Sequence, residues 1–170
     1  MPAVRRETAE DRAAVRDVNE RAFGRAAEAD LVEALRHAAR PYLSLVAEEE
    51  GQVVGHILFS PVEVESEGGA PAVMGLAPMA VLPERQRRGI GSALVREGLQ
   101  ACRQMGIQAV VVLGHRAYYP RFGFEPAGAY GLQSEYDVPA EAFMVIEFSP
   151  RVLEGLGGVV KYHAAFNEVE

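Results

Sequence analysis

Cysteine is almost absent. Cys102 alone cannot close an internal disulfide, and the four scattered histidines, His37, His56, His115 and His163, show no metal-ligand spacing, so no structural metal is expected. Long apolar runs are missing as well. Nothing approaches the roughly 20 residues that cross a bilayer, and the start Met1-Pro2-Ala3-Val4-Arg5-Arg6 lacks the apolar core of a signal peptide. The expected location is the cytoplasm, with no membrane partner. Nor is there an excess of positive charge: the net charge of −7 argues against general nucleic-acid binding, which depends on neutralising phosphates over a basic surface. With no low-complexity linker and no internal repeat, the 170 residues are expected to form one domain over 1–170, long enough to bury a core.

What is present is a readable succession of elements. Residues 3–7 suit a short strand, and Thr8 with Asp11 three positions later reads as a helix N-cap. Val15, Val18, Ala22 and Phe23 keep a helical spacing, and Leu31, Val32 and Leu35 form a second apolar stripe that Pro41 ends. Residues 43–48 and 53–60, around a turn at Glu50-Gly51, predict an antiparallel hairpin. Residues 66–71 read as a loop. The strand at 73–82 contains Gly75 and Pro78, and the proline removes at least one ladder hydrogen bond.

From Ile90 to Met105 the residues Leu94, Val95, Leu99 and Cys102 mark one helical face, which makes Cys102 a core residue, and Gly106 is placed to end the helix. Residues 108–113 read as a strand buried on both faces, and strand, helix, strand in that order implies a crossover with parallel pairing. Residues 143–148 and 158–162 supply further strands. The expected fold class is α/β in the broad sense, an α+β mixed sheet with helices on its faces.

Between the strand at 73–82 and the helix from Ile90 lies Gln86-Arg87-Arg88-Gly89-Ile90-Gly91-Ser92. Two closely spaced glycines let the chain curl so that backbone N–H groups at a helix start converge on phosphate oxygens, and the basic residues at 85–88 add to that field. A helix entry decorated with surface arginines fits this segment equally well when it is taken alone. Other phosphate-binding motifs fit worse. No Gly-Lys-Ser/Thr of a Walker loop occurs, and Leu94 stands where a dinucleotide fingerprint needs its third small residue.

Gln86-x-x-Gly89-x-Gly91 resembles the acetyl-CoA signature Gln/Arg-x-x-Gly-x-Gly/Ala of the GCN5-related N-acetyltransferase (GNAT) superfamily. Downstream, Tyr118-Tyr119-Pro120-Arg121-Phe122-Gly123-Phe124 is similar to the family's Phe-Tyr-x-x-x-Gly-Phe segment after its fifth strand. The likeness runs from Arg5-Arg6-Glu7-Thr8 to Val138-Pro139-Ala140-Glu141-Ala142-Phe143. That last stretch, with Gly158-Val159-Val160-Lys161-Tyr162, resembles the YhbS-like branch of acetyltransferases.

The resemblance implies a single GNAT domain, a mostly antiparallel sheet whose fourth and fifth strands are parallel and splay apart, with acetyl-CoA as co-substrate and no metal. Its pantetheine arm would lie along Met79, Ala80 and Val81, and its pyrophosphate on the segment Gln86, Arg87, Arg88, Gly89, Ile90, Gly91 and Ser92. Arg121 would face the adenosine end. Tyr119 aligns with the general-acid tyrosine, and an oxyanion donor is expected from the backbone near Ala80. The base stays open: residues 73–81 hold no carboxylate, which leaves His115, the remote Glu63, Glu65 and Glu141, or water. The implied activity is acetyl transfer to a primary amine of a small molecule or a protein. The missing carboxylate supports an alternative, a catalytically weak acyl-CoA-binding regulatory module. Family habit also points to a homodimer, which no sequence feature establishes.

Overall fold

The computed structural model describes residues 2–64, 71–154 and 158–169, so the expected loop at 66–71 falls, except for Pro71, outside the described residues, as does Glu65. The elements are β1 (Ala3–Arg6), α1 (Arg12–Phe23), α2 (Ala27–Ala38), β2 (Leu43–Glu49), β3 (Gln52–Val64), β4 (Val73–Val81), α3 (Ile90–Gln104), β5 (Ala109–Leu113), β6 (Glu125–Pro126), β7 (Leu132–Ser134), β8 (Phe143–Glu147) and β9 (Gly158–Lys161). Nine strands are thus seen among the described residues, in a mixed sheet, as the sequence implies. Contacts group the chain into two compact units, residues 1–60 with 77–100 and 164–170, and residues 61–76 with 101–163. Among the described residues no helix is long and apolar enough to cross a membrane.

In the first unit β1, β2, β3 and the end of β4 lie side by side, with Val4 opposite Ala47 and Leu45 opposite Ile57 in antiparallel register. Thr8 caps as expected: the Asp11 carboxylate accepts the Thr8 N–H at 2.7 Å while Arg5 clamps it from outside. The turn this creates is a 3-10 turn, so the α-helix itself begins later, at Arg12. Val15, Leu31, Val32 and Leu35 from α1 and α2 pack with Val46 and Leu58 of the strands into one apolar cluster. Phe23 does not join that face. It is 40% exposed because it is the last residue of α1 before Gly24 turns left-handed at φ 71°. The helix α3 lies very close to β3, since a Cβ on Gly98 would come within 2.4 Å of Phe59 Cε1.

In the second unit β4 and β5 pair in parallel, but only from Val73↔Ala109 to Gly75↔Val111, after which β5 runs on to Leu113 against antiparallel β8. That short ladder agrees with the expected splay. The end of β3 pairs with β9, Glu63 opposite Lys161, and β9 pairs in parallel with β7, a second parallel pair that the sequence did not disclose. Ala109, Val110, Val111 and Val112 are fully or almost fully buried, which explains their unbroken apolar run. Cys102 is buried with its Sγ 4.0 Å from Met74 Sδ, a core residue as expected.

Candidate active site

The first unit gathers the residues expected to meet the cofactor. Ala80 is buried and Met79 and Val81 are half-buried at the end of β4, and a short 3-10 turn at Pro83–Arg85 leads away from it. The Gln86 side chain ties the following turn back to the strand by donating to the Val81 carbonyl at 3.0 Å. Arg87 at φ 65° and Gly89 at φ 84° flank Arg88, whose φ is not positive, so the backbone changes hand repeatedly within three residues, the alternation from which anion nests are built. Gly89 accepts the first intrahelical bond of α3, from the Ala93 N–H at 3.0 Å. The amides of Ile90, Gly91 and Ser92 precede that bond and lie at the positive end of the helix dipole. The helix end is anchored by Ile90, whose side chain, with Leu94, fills the space that a Cβ on Gly55 would need. Arg87 and Arg88 are exposed, whereas Arg85 is paired with Glu49 at 2.8 Å.

Tyr119 belongs to the second unit. It opens a 3-10 turn, Tyr119–Phe122, that Gly123 closes at φ 104°. Its ring lies on bare backbone at Gly114, where a Cβ would come within 2.4 Å of Cε2, and meets Tyr118 and Phe124 edge-on with centroids 5.1 and 5.7 Å away. Burial, with a smaller contribution from Tyr118, pushes the Tyr119 phenol up to about 12. His115 has an exposed side chain, and its backbone shapes the turn by accepting the N–H groups of Tyr118 and Tyr119 at 3.0 and 3.3 Å. Arg121 donates to the Tyr118 carbonyl at 2.9 Å and stacks its guanidinium 4.6 Å from that ring's centre. Glu63 and Glu141 are both exposed. No group of three or more metal-ligating side chains occurs among the described residues.

Two arrangements escape the sequence. In the second unit the Tyr162 ring covers Gly75, where the parallel ladder ends, and its phenol is pushed well up, first by burial and then by Tyr136, Glu135 and Tyr119. Glu135 accepts the Tyr162 N–H at 2.8 Å, and Tyr136 lies 5.9 Å from Tyr162 between ring centres. In the first unit His56 is fully buried. Asn19 Nδ2 donates to the Val15 carbonyl at 3.0 Å and to His56 Nδ1 at 3.2 Å, and His56 Nε2 meets Ser44 Oγ at 2.8 Å. Because Asn19 uses a donor toward Nδ1, that nitrogen must be unprotonated and the proton sits on Nε2. The spacing of these residues along the chain carries no sign that they meet.

The family model of the acetyltransferase (GNAT) domain matches residues 3–127. The uncharacterised N-acetyltransferase YjhQ of Escherichia coli K12 is 49% identical over 134 residues, which cover 77% of this chain and 74% of that protein. YhbS of the same strain, also an uncharacterised N-acetyltransferase, is 41% identical over 148 residues, 86% of this chain and 87% of its own. The crystal structure of Escherichia coli YhbS in complex with CoA matches with a TM-score of 0.91 at 37% identity, covering 99% of this chain and 93% of that one. A GNAT acetyltransferase from Brucella melitensis in complex with acetyl-CoA matches with a TM-score of 0.80 at 41% identity, over 98% of both chains.

Proposed function

Since the chain belongs to the GNAT acetyltransferase family, in its YhbS-like branch, we propose that it transfers an acetyl group from acetyl-CoA to a primary amine of a small molecule or a protein, acting as one domain over residues 1–170. The observation that carries this reading is the Arg87 to Gly89 turn opening onto the amides of α3, a seat for a diphosphate. Two similar proteins of solved structure, YhbS and the Brucella melitensis acetyltransferase, hold CoA and acetyl-CoA, which supports the same ligand here.

In this reading Met79, Ala80 and Val81 bind the pantetheine arm along β4. Gln86, Arg87, Arg88, Gly89, Ile90, Gly91 and Ser92 hold the pyrophosphate. Acetyl-CoA supplies the thioester. A backbone N–H near Ala80 stabilises the oxygen as charge develops on it. The acceptor amine must be neutral to attack, and a lysine-like amine of pKa about 10.4 is neutral in roughly one molecule in 2,500 at pH 7, a cost of about 4.6 kcal/mol. Water, His115 or a less basic acceptor meets that demand. Tyr119 is the general acid. A phenol at about 12 gives its proton to a thiolate of pKa about 8.5 only uphill, by roughly 4.8 kcal/mol. Tyr119 therefore protonates the departing sulfur as it recovers a proton from the attacking nitrogen, and the net transfer runs from nitrogen to sulfur.

The test is calorimetric titration with acetyl-CoA of the wild type and of Gly89→Glu, followed by thiol release with amines, polyamines, amino acids and peptides. Binding that the substitution abolishes, together with turnover of at least one amine, is the expected result. No binding, with Gly89→Glu changing nothing, sinks the proposal. Tight binding without thiol release for any acceptor favours the regulatory module instead, the reading motivated by a β4 strand without a carboxylate.

A further inference from the structure

The second unit contains a cavity of about 320 Å³ between β7, the segment at 128–140 and the start of β8, lined among others by Gly128, Leu132, Ser134, Tyr136, Val138 and Phe143. That volume is at the lower end of small-molecule sites and suits one ring or a branched alkyl group. Its lining is apolar and aromatic, with hydroxyl and amide groups but no charged side chain. A second charge on a ligand would therefore lose its water there without gaining a partner. One wall adjoins the support of Tyr119. On one side the Ala142 carbonyl accepts the Gly114 N–H at 2.9 Å, and the Tyr119 ring rests on Gly114. On the other, Tyr136 abuts Tyr162, with ring centres 5.9 Å apart. Glu135, between two lining residues, is exposed, and its carboxylate is held by the Tyr162 N–H at 2.8 Å.

We propose that this cavity receives the uncharged, apolar arm of the acceptor, and that Glu135, next in the chain to the lining residues Ser134 and Tyr136, attracts the acceptor as its ammonium, which must give up its proton and leave this pairing before the nitrogen attacks. The acceptors are thus monoamines bearing a single ring or a branched alkyl group, rather than polyamines or lysine-rich peptides. The assignment rests on the acetyltransferase reading, but its test does not. Gly128 lines the cavity, a Cβ there meets nothing within 4 Å and its φ lies outside the left-handed region, so Gly128→Leu adds bulk at the cavity's edge without a clash or backbone strain. Glu135→Gln removes the charge while keeping an oxygen for the Tyr162 amide.

Binding of benzylamine, isoamylamine and putrescine to the full chain is measured by saturation-transfer NMR with competition. Benzylamine and isoamylamine are expected to bind at least about tenfold tighter than putrescine, and Gly128→Leu to weaken them at least about tenfold. Glu135→Gln should weaken benzylamine and leave benzyl alcohol unchanged. Equal affinities for benzylamine and putrescine, or full benzylamine affinity in Gly128→Leu, overturn the proposal. If both substitutions act as expected and acetyl-CoA yields no thiol with any of these amines, the cavity assignment stands and the acetyltransferase reading falls. Thiol release from amines that do not compete for the cavity has the opposite meaning.

Discussion

At the scale of single residues, two buried side chains make contrasting predictions. Tyr119→Phe keeps the ring that packs on Gly114 and removes only the proton, so turnover should fall by roughly 10²- to 10⁴-fold while acetyl-CoA affinity measured by calorimetry stays the same. Undiminished turnover would reduce Tyr119 to a packing residue. His56 reports on stability. Its burial, with the nearby Arg36 charge, depresses it to about 3, and protonation would set an Nδ1–H against the Asn19 donor. A histidine that is neutral in the fold and titrates near 6.5 when unfolded contributes stability in full above pH 6.5. That stability is lost as pH falls toward 3, by about 1.4 kcal/mol for each unit. Urea unfolding between pH 7.5 and 4.5 should show the decline, and His56→Gln should be less stable at pH 7.5 but flatter with pH. Nothing in the sequence marks His56 as buried, since a polar residue on a hairpin strand ordinarily reads as solvent-facing.

At the scale of elements, legibility followed length. The hairpin β2–β3, the long helix α3 and the buried strand β5 each display several repeats of their period, and the structure returns them within a residue or two, except that β3 runs four residues past the expected end at Ser60. β6 and β7 hold two and three residues, too few to show any alternation, and the parallel pairing of β7 with β9 is settled by contacts distant in sequence. The candidate site divides in the same way. The turn at 86–92 announces itself because backbone geometry demands particular residue types, as Gly89 does at φ 84°. Tyr162, Glu135 and Tyr136 meet only through tertiary packing. The tight contact at the end of β5 gives a prediction at this scale. In Gly114→Ala the new methyl collides with a ring already confined by Tyr118 and Phe124, so Tyr119 must move. The turnover number should drop at least about tenfold, a loss expected when a catalytic group is displaced by an ångström. The apparent KM for acetyl-CoA should change little, and steady-state kinetics separates the two.

At the scale of the whole molecule, a ligand that binds only the folded chain stabilises it. Acetyl-CoA at one hundred times its Kd should contribute about 2.7 kcal/mol, a rise of roughly 5–10 °C in the melting temperature of a chain this long. Differential scanning fluorimetry should find the rise in the wild type and not in Gly89→Glu. Arg87 carries this linkage one step further. A non-glycine residue held at φ 65° is strained by about 1–2 kcal/mol, and glycine would relieve most of that while adding some chain entropy to the unfolded state. Arg87→Gly should therefore melt higher without ligand, yet respond less to acetyl-CoA because the proposed binding mode loses a cation beside the diphosphate. In that binding mode heat tolerance and ligand grip are opposed at this one position, and a screen selecting for thermal robustness alone would discard the arginine.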